Sequence, residues 1–245
     1  MRLKVIGSGS AGNAYLLYNN KEALLIECGI RVKYIKEALD YDLAKLAGCL
    51  ISHEHLDHCK SARQLLDAGI DLYSSRGTLT ALGIQQHHRC HTVDNQPFQM
   101  GNFLVMAFDV KHDAAEPVGF LIEHDETGLI LFLTDSYFVP YTFPGLTNIM
   151  VEVNYDQEIL DAKTAAGGRP AFLRKRIMSS HMNLDTCKDL LLANDLTAVN
   201  NILLIHLSDS NADEKKFIRD IYELTGKTVK VANAGMDIEF NKTPF

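Results

Sequence analysis

Ile51-Ser52-His53-Glu54-His55-Leu56-Asp57-His58 places four metal-capable side chains, His53, His55, Asp57 and His58, within six residues, where the short apolar strand predicted for Cys49–Ser52 ends. Neutral imidazole and carboxylate suit zinc, manganese or iron. Four such groups are too many for one open catalytic ion, which keeps a position for water. In an extended turn, His53 and His55 would face one ion while Asp57 and His58 face a neighbour. The bland alternative is a solvated polar loop.

Working outward, the missing ligands should stand at other strand ends, where loops carry function on a rigid scaffold. His112 follows a strand predicted at Phe103–Val110, Asp135 follows Leu129–Thr134, and His206 follows Asn201–Ile205. Taken singly, each could be a capping or surface residue. Taken with the histidine loop, they complete two coordination spheres, with Asp135 as the bridge because a carboxylate can bind both ions. Two ions about 3.5–4 Å apart would acidify a bridging water and clamp a phosphoryl oxygen, so that a metal-activated hydroxide attacks in line.

The rest of the chain reads as the scaffold for that site. Its 245 residues, 47% apolar and 22% charged, suit one globular domain, and no repeat or linker divides residues 1–245. Strands are predicted at Leu3–Ile6, Ala14–Tyr18, Ala23–Glu27, Leu72–Ser75, Val118–His124, Ile149–Asn154, Thr228–Val231 and Asp237–Phe240. Helices are predicted at Val32–Asp40, Ser61–Ala68, Ala171–Ser179, Asp185–Asn194 and Asp213–Leu224. Strands in runs with helices between and after them imply an α/β (α+β) chain folded as a four-layer αββα sandwich rather than a doubly wound sheet. Gly7, Gly9 and Gly12 lack the following helix that a dinucleotide site needs. Five cysteines without a CxxC pair fit a reducing compartment. The opening residues lack a signal-peptide pattern, and no apolar run approaches the roughly 18 residues of a membrane span, so the expectation is a cytoplasmic protein without a membrane partner. A net charge of −7 excludes a general nucleic-acid coat protein, but leaves room for a polyanion faced by metals and a local basic patch.

The chain resembles the metallo-β-lactamase superfamily over nearly its whole length, and within it the YycJ/WalJ-like branch related to ribonuclease Z. The matching segments are GSGSAGNAYLL (7–17), LLIECG (24–29), ISHEHLDH (51–58), KHDAAEPVGF (111–120), LTDSY (133–137), EVNYD (152–156), KRIMSSHMN (175–183) and LIHLSDSNAD (204–213). The resemblance implies His53, His55 and His112 on one ion, Asp57, His58 and His206 on the other, and Asp135 between them, with zinc or manganese as the metal. It implies that Asp57 also orients the nucleophile, that His181 gives a proton to the leaving oxygen, and that Glu152 orients His181 and raises its pKa. Glu27 stands where the family usually has Asp, Tyr155 replaces a common His, and Ser180 precedes His181 in place of Gly. The implied activity is a phosphodiesterase or exonuclease acting on DNA. The alternatives are a cyclic-nucleotide phosphodiesterase of the phage anti-defence type and a non-catalytic, metal-stabilised binding module. A homodimer is left open.

Arg174-Lys175-Arg176, with Arg169 nearby, reads either as a solvated helix face or as a phosphate contact made by Arg174 and Arg176. His87, His88, Cys90 and His91 lack a complementary pair at zinc-finger spacing and read as a polar edge segment. His124 reads as an exposed hairpin residue.

Overall fold

The computed structural model describes residues 1–166 and 171–244; Arg169 lies outside them. The chain begins with β1 (Arg2–Gly7), β2 (Ala14–Tyr18), β3 (Ala23–Ile26), α1 (Val32–Ala38), β4 (Leu46–Leu50), α2 (Leu56–Cys59), α3 (Ala62–Asp67), β5 (Leu72–Ser74), α4 (Arg76–Ala81) and β6 (Cys90–Thr92). There follow β7 (Phe98–Met100), β8 (Phe103–Asp109), β9 (Val118–His124), β10 (Gly128–Leu133) and β11 (Leu146–Glu152). The remainder is α5 (Gln157–Ala165), α6 (Ala171–Ser180), α7 (Leu184–Leu192), β12 (Asn201–Ile205), α8 (Glu214–Thr225), β13 (Thr228–Val231) and β14 (Asp237–Glu239).

Two seven-stranded sheets result, ordered β14-β1-β2-β3-β4-β5-β6 and β13-β12-β11-β10-β9-β8-β7. Alternation along β1 turns Leu3 and Val5 to the same face, where they join Leu17, Leu24 and Ile26. These meet Phe103, Val105, Phe120, Ile122, Phe132 and Leu203 of the facing sheet to form the inner core. The outer face of the first sheet, with Leu16, Leu25, Cys49 and Leu72, packs on Ile35 of α1 and on Leu65 and Leu66 of α3. The outer face of the second, with Leu131, Leu133, Ile149, Val151 and Leu204, packs on α7 and α8 through Leu184, Leu190, Leu191, Phe217 and Ile221. The layers are therefore αββα, as the order of strands and helices predicted.

In each sheet an antiparallel part gives way to a parallel part, β3 to β6 in one and β10 to β13 in the other. Strands β3, β4, β10, β11 and β12 all end on the same side, so the loops that leave them converge. Open α/β sheets bind ligands outside the carboxyl ends of such strands.

Three local features differ from the sequence reading. The histidine loop is extended only to His55, and Leu56–Cys59 then forms a single helical turn, too short to show periodicity. The short edge strands β6 and β7 and the helices α4 and α5 add to the predicted set. Two of these carry a local start signal: Ser75 caps α4 by accepting from Thr78 N–H, and Asp156 caps α5 by accepting from the N–H groups of Glu158 and Ile159. His124 is buried, not exposed. It packs on the Phe103 ring and lies 3.3 Å from Glu22, a partner 102 residues away in sequence.

Candidate metal centre

Three of the residues at this convergence have a backbone conformation that side chains rarely adopt. Glu27 (φ 63°), Asp135 (φ 46°) and His206 (φ 55°) are left-handed, and each directly follows or closely follows the end of β3, β10 or β12. Such a residue costs about 1–3 kcal/mol and persists only where its surroundings impose it. Here the turn swings the side chain off the strand axis and into the space between the sheets' ends.

The histidine loop is fixed from beneath. Asp57 C=O accepts from Asn13 N–H at 2.7 Å, and His58 C=O accepts from Cys28 N–H at 2.8 Å. Gly29 is needed at this contact: a Cβ there would lie 1.6 Å from the Asp57 carbonyl oxygen. Ser52 N–H donates to Glu27 Oε1 at 3.2 Å, and Glu27 Oε2 faces His58 Nδ1 at 3.6 Å, both atoms buried and otherwise without a partner.

The imidazoles are oriented one by one. Ser52 Oγ lies 2.9 Å from His53 Nδ1, and His112 Nδ1 donates to the Ser180 carbonyl at 2.8 Å, which leaves His112 Nε2 without the proton. Asn13 Nδ2 lies 3.3 Å from His58 Nε2, and Asn154 Nδ2 lies 3.2 Å from His206 Nδ1 while donating to the His206 carbonyl at 2.9 Å.

These constraints gather the donors predicted from the sequence. One group contains His53, His55, His112 and Asp135, and another contains Asp57, His58 and His206, the donor atoms of each lying within 4.8 Å of one another. His55 Nδ1 is 3.0 Å from His53 Nε2 and 3.1 Å from His112 Nε2. One proton cannot satisfy three nitrogens that meet at one point, whereas a shared cation can. Bonds of about 2.0–2.1 Å in tetrahedral array place donors roughly 3.3–3.5 Å apart. Asp135 Oδ2 lies 3.6, 3.4 and 3.4 Å from the ring nitrogens of His53, His58 and His112, and Asp135 Oδ1 lies 3.6 Å from His206 Nδ1. Asp57 Oδ2 is 3.3 Å from both His58 Nε2 and His206 Nε2. The donor set and spacing fit divalent cations.

A third group joins Asp135 and His206 to Glu152 and His181. Glu152 is already engaged: Oε1 lies 2.6 Å from His181 Nδ1, and Oε2 accepts from Ser136 N–H at 3.0 Å and Met182 N–H at 3.1 Å. A carboxylate so occupied holds a histidine more readily than a metal. The His181 ring stacks on that of His206 at 5.5 Å, and its side chain is 21% exposed, which leaves it open to solvent beside the donor cluster.

The electrostatics follow from burial of many ionisable groups together. Burial pulls the His206 imidazole down, but Asp135, Asp57 and Glu152 outweigh it and hold it up at about 10. Burial also pulls His181 down, and the Glu152 carboxylate outweighs it, so His181 keeps its proton above the ordinary histidine range. Burial pushes Glu27 up, offset only in part by His58. Asp135 is held well below the carboxylate range against its burial by His206 and His58.

The basic run is placed differently. Arg174 is turned to α5, where its Nη2 lies 2.7 Å from Asp161, and Arg176 Nε lies 3.2 Å from Asp113, the neighbour of His112. Arg176 is thus at the rim of the cluster, and Arg174 makes no contact with it among the described residues. His91 and Arg89 both pair with Asp71, and β6 is an edge strand, so the HHRCH segment forms no metal-capable group among the described residues. The sequence reading missed Asn13, Ser52 and Asn154 as orienting groups. Asn13 and Asn154 stand in the GSGSAGN and EVNYD segments, but nothing local shows that their amides reach a histidine.

Residues 7–78 match the family model described as the metallo-beta-lactamase superfamily. The chain is 28% identical over 227 residues to exodeoxyribonuclease WalJ of Streptococcus pneumoniae serotype 2, covering 86% of this chain and 82% of the relative. It is 29% identical over 236 residues to exodeoxyribonuclease YycJ of Bacillus anthracis, covering 87% of this chain and 85% of that one. Its fold is similar to that of the metallo-beta-lactamase fold protein YhfI from Bacillus subtilis, with a TM-score of 0.72 at 17% identity over 97% of this chain and 99% of the other.

Proposed function

We propose, from the premise that the chain belongs to the metallo-β-lactamase superfamily of hydrolases, that it is a metal-dependent phosphodiesterase that degrades DNA from an end. The observation that carries the phosphodiester reading is the Glu152–His181 pair, at 2.6 Å, standing beside the metal-capable cluster with its imidazole open to solvent.

In this reading two divalent ions, zinc or manganese, would be held by His53, His55 and His112 on one side and by Asp57, His58 and His206 on the other, with Asp135 available to both. Bound there, such ions would supply an acidified water and neutralise charge on the phosphoryl oxygens. The chain's own groups do the rest. Asp57, its side chain 26% exposed, accepts a hydrogen bond from the attacking water and fixes its direction. Glu152 takes the Nδ1–H of His181, so the second proton sits at His181 Nε2, ready for the departing sugar oxygen. The Glu152 carboxylate raises the pKa of His181 above the ordinary histidine value, which favours retention of that proton.

The test is an activity panel on the purified chain with zinc and with manganese: single- and double-stranded DNA, RNA, cyclic nucleotides and bis-p-nitrophenyl phosphate. Release of nucleotides from DNA ends is expected. No cleavage of any phosphodiester by metal-loaded protein would overturn the enzyme reading, and cleavage confined to cyclic nucleotides would replace the substrate. His181→Ala should keep its metal and lose about 10²–10⁴-fold in kcat. Loss of metal in that variant would instead make His181 a ligand.

A further inference from the structure

Large apolar side chains stand exposed around the same cluster. Leu56, between His55 and Asp57, is 75% exposed, and Tyr137 and Phe138, just after Asp135, are 41% and 51% exposed. The loop that carries Tyr137 and Phe138 is fixed by its own hydrogen bonds. Ser136 N–H donates to Glu152 Oε2, Ser136 Oγ donates to the Phe138 carbonyl at 2.9 Å, and Tyr137 N–H donates to the Lys111 carbonyl at 3.1 Å. Lys111 N–H in turn donates to Ser136 Oγ at 3.0 Å. A loop pinned in this way to the neighbours of Glu152 and His112 presents its rings to solvent at a standing hydrophobic cost.

A lysine joins the same backbone network. Lys111 is exposed and makes no ion pair among the described residues, whereas Arg174 and Arg176 are matched by Asp161 and Asp113. Exposed aromatic rings on a loop hydrogen-bonded to the backbone of an unpaired lysine are elements that proteins use to hold unpaired nucleic acid without regard to sequence, because every base has a π face and every nucleotide a phosphate. An enzyme that removes successive nucleotides needs that indifference.

We propose that Tyr137, Phe138 and Leu56 form a shelf on which unpaired nucleobases at a DNA end stack, with the Lys111 ammonium against an adjoining phosphate. This rests on the phosphodiesterase reading above. It assigns the grip on the polymer to the loop after Asp135 rather than to the basic run of α6.

The experiment uses metal-loaded protein and a phosphorothioate duplex carrying a short unpaired terminus, compared with the same terminus made abasic, which keeps the charge and removes the bases. The base-bearing end should bind about 10–100-fold more tightly. Tyr137→Ala/Phe138→Ala should erase that difference, with metal content and melting temperature reporting that the variant is folded. Lys111→Ala should lower the slope of log affinity against log salt by about one. The chain contains no tryptophan, so Tyr137→Trp provides a single reporter, quenched by the base-bearing end and not by the abasic one. Equal binding of the two ends by the wild type, or an undiminished preference in the double variant, would overturn the shelf. Wild-type protein that neither binds nor cuts any DNA end would remove DNA as the substrate of the proposed phosphodiesterase, and the shelf with it. DNA cleavage with no base preference would remove the shelf alone.

Discussion

At the scale of single residues, proton placement decides more than identity. His181 and Glu152 lie 2.6 Å apart, and the carboxylate outweighs burial in holding the imidazole protonated. If His181 is the proton donor, turnover falls on the alkaline side as it deprotonates. Glu152→Gln removes the charge that raises its pKa, so the alkaline limb of the kcat–pH profile should move to lower pH. A limb that stays in place would separate His181 from the leaving group. Asp135 occupies the centre, with one oxygen toward His53, His58 and His112 and the other toward His206. Asp135→Ala should lose bound metal and nearly all turnover, checked by metal analysis beside a rate assay; full metal content with full activity would refute the bridging role. The donors themselves were legible one at a time, because each is a metal-capable side chain at the end of an apolar strand. The orienting groups were not. Ser180 presents a carbonyl to His112, a role independent of its side chain, and Asn13 acts 45 residues away from His58.

At the scale of elements, the site depends on how the helical turn α2 seats against the end of β3. Gly29 makes that seating possible, since any Cβ would collide with the Asp57 carbonyl. Gly29→Ala should therefore lower the thermal midpoint and reduce metal content together. Gly145→Ala is the comparison: its φ is +80°, but nothing lies within 4 Å, so only the backbone strain should register, about 1 kcal/mol or a few degrees, with metal content unchanged. Equal losses in the two variants would show that the close contact at Gly29 has no special weight. Central strands were readable because both of their faces are buried, as in β3 and β12, which produces unbroken apolar runs. The edge strands β6 and β7 were not, because one edge lacks a partner and their three residues show no period. Helix α2 was hidden for a related reason: a single turn of four residues, two of them the donors Asp57 and His58, cannot also display an amphipathic pattern.

At the scale of the whole molecule, the metal-capable cluster joins the two sheets: His53, His55, Asp57 and His58 follow β4, and Asp135 and His206 follow β10 and β12. Cations bound there would add stability to the sandwich by mass action, on the order of 4 kcal/mol at a thousandfold excess over Kd. Chelation should lower the melting temperature by about 10 °C in a scanning experiment, and added zinc or manganese should restore it. An unchanged midpoint would count against structural coupling of metal and fold. Because His206 holds a proton up to about 10 in the metal-free protein, metal uptake at neutral pH must displace it. Affinity should therefore rise with pH, and calorimetry in buffers of different ionisation enthalpy should detect the released proton. By itself the sequence determined the αββα layering, through the order of its apolar runs, and the identity of the metal-capable donors, through residue type at strand ends; both are local properties. Only the tertiary structure decided which donors face one another, that Nε2 of His112 is the nitrogen left free, that Arg174 turns away to Asp161, and that Tyr137, Phe138 and Leu56 stand exposed. Those facts depend on left-handed turns at Glu27, Asp135 and His206 and on hydrogen bonds between residues far apart in sequence, which no local pattern encodes.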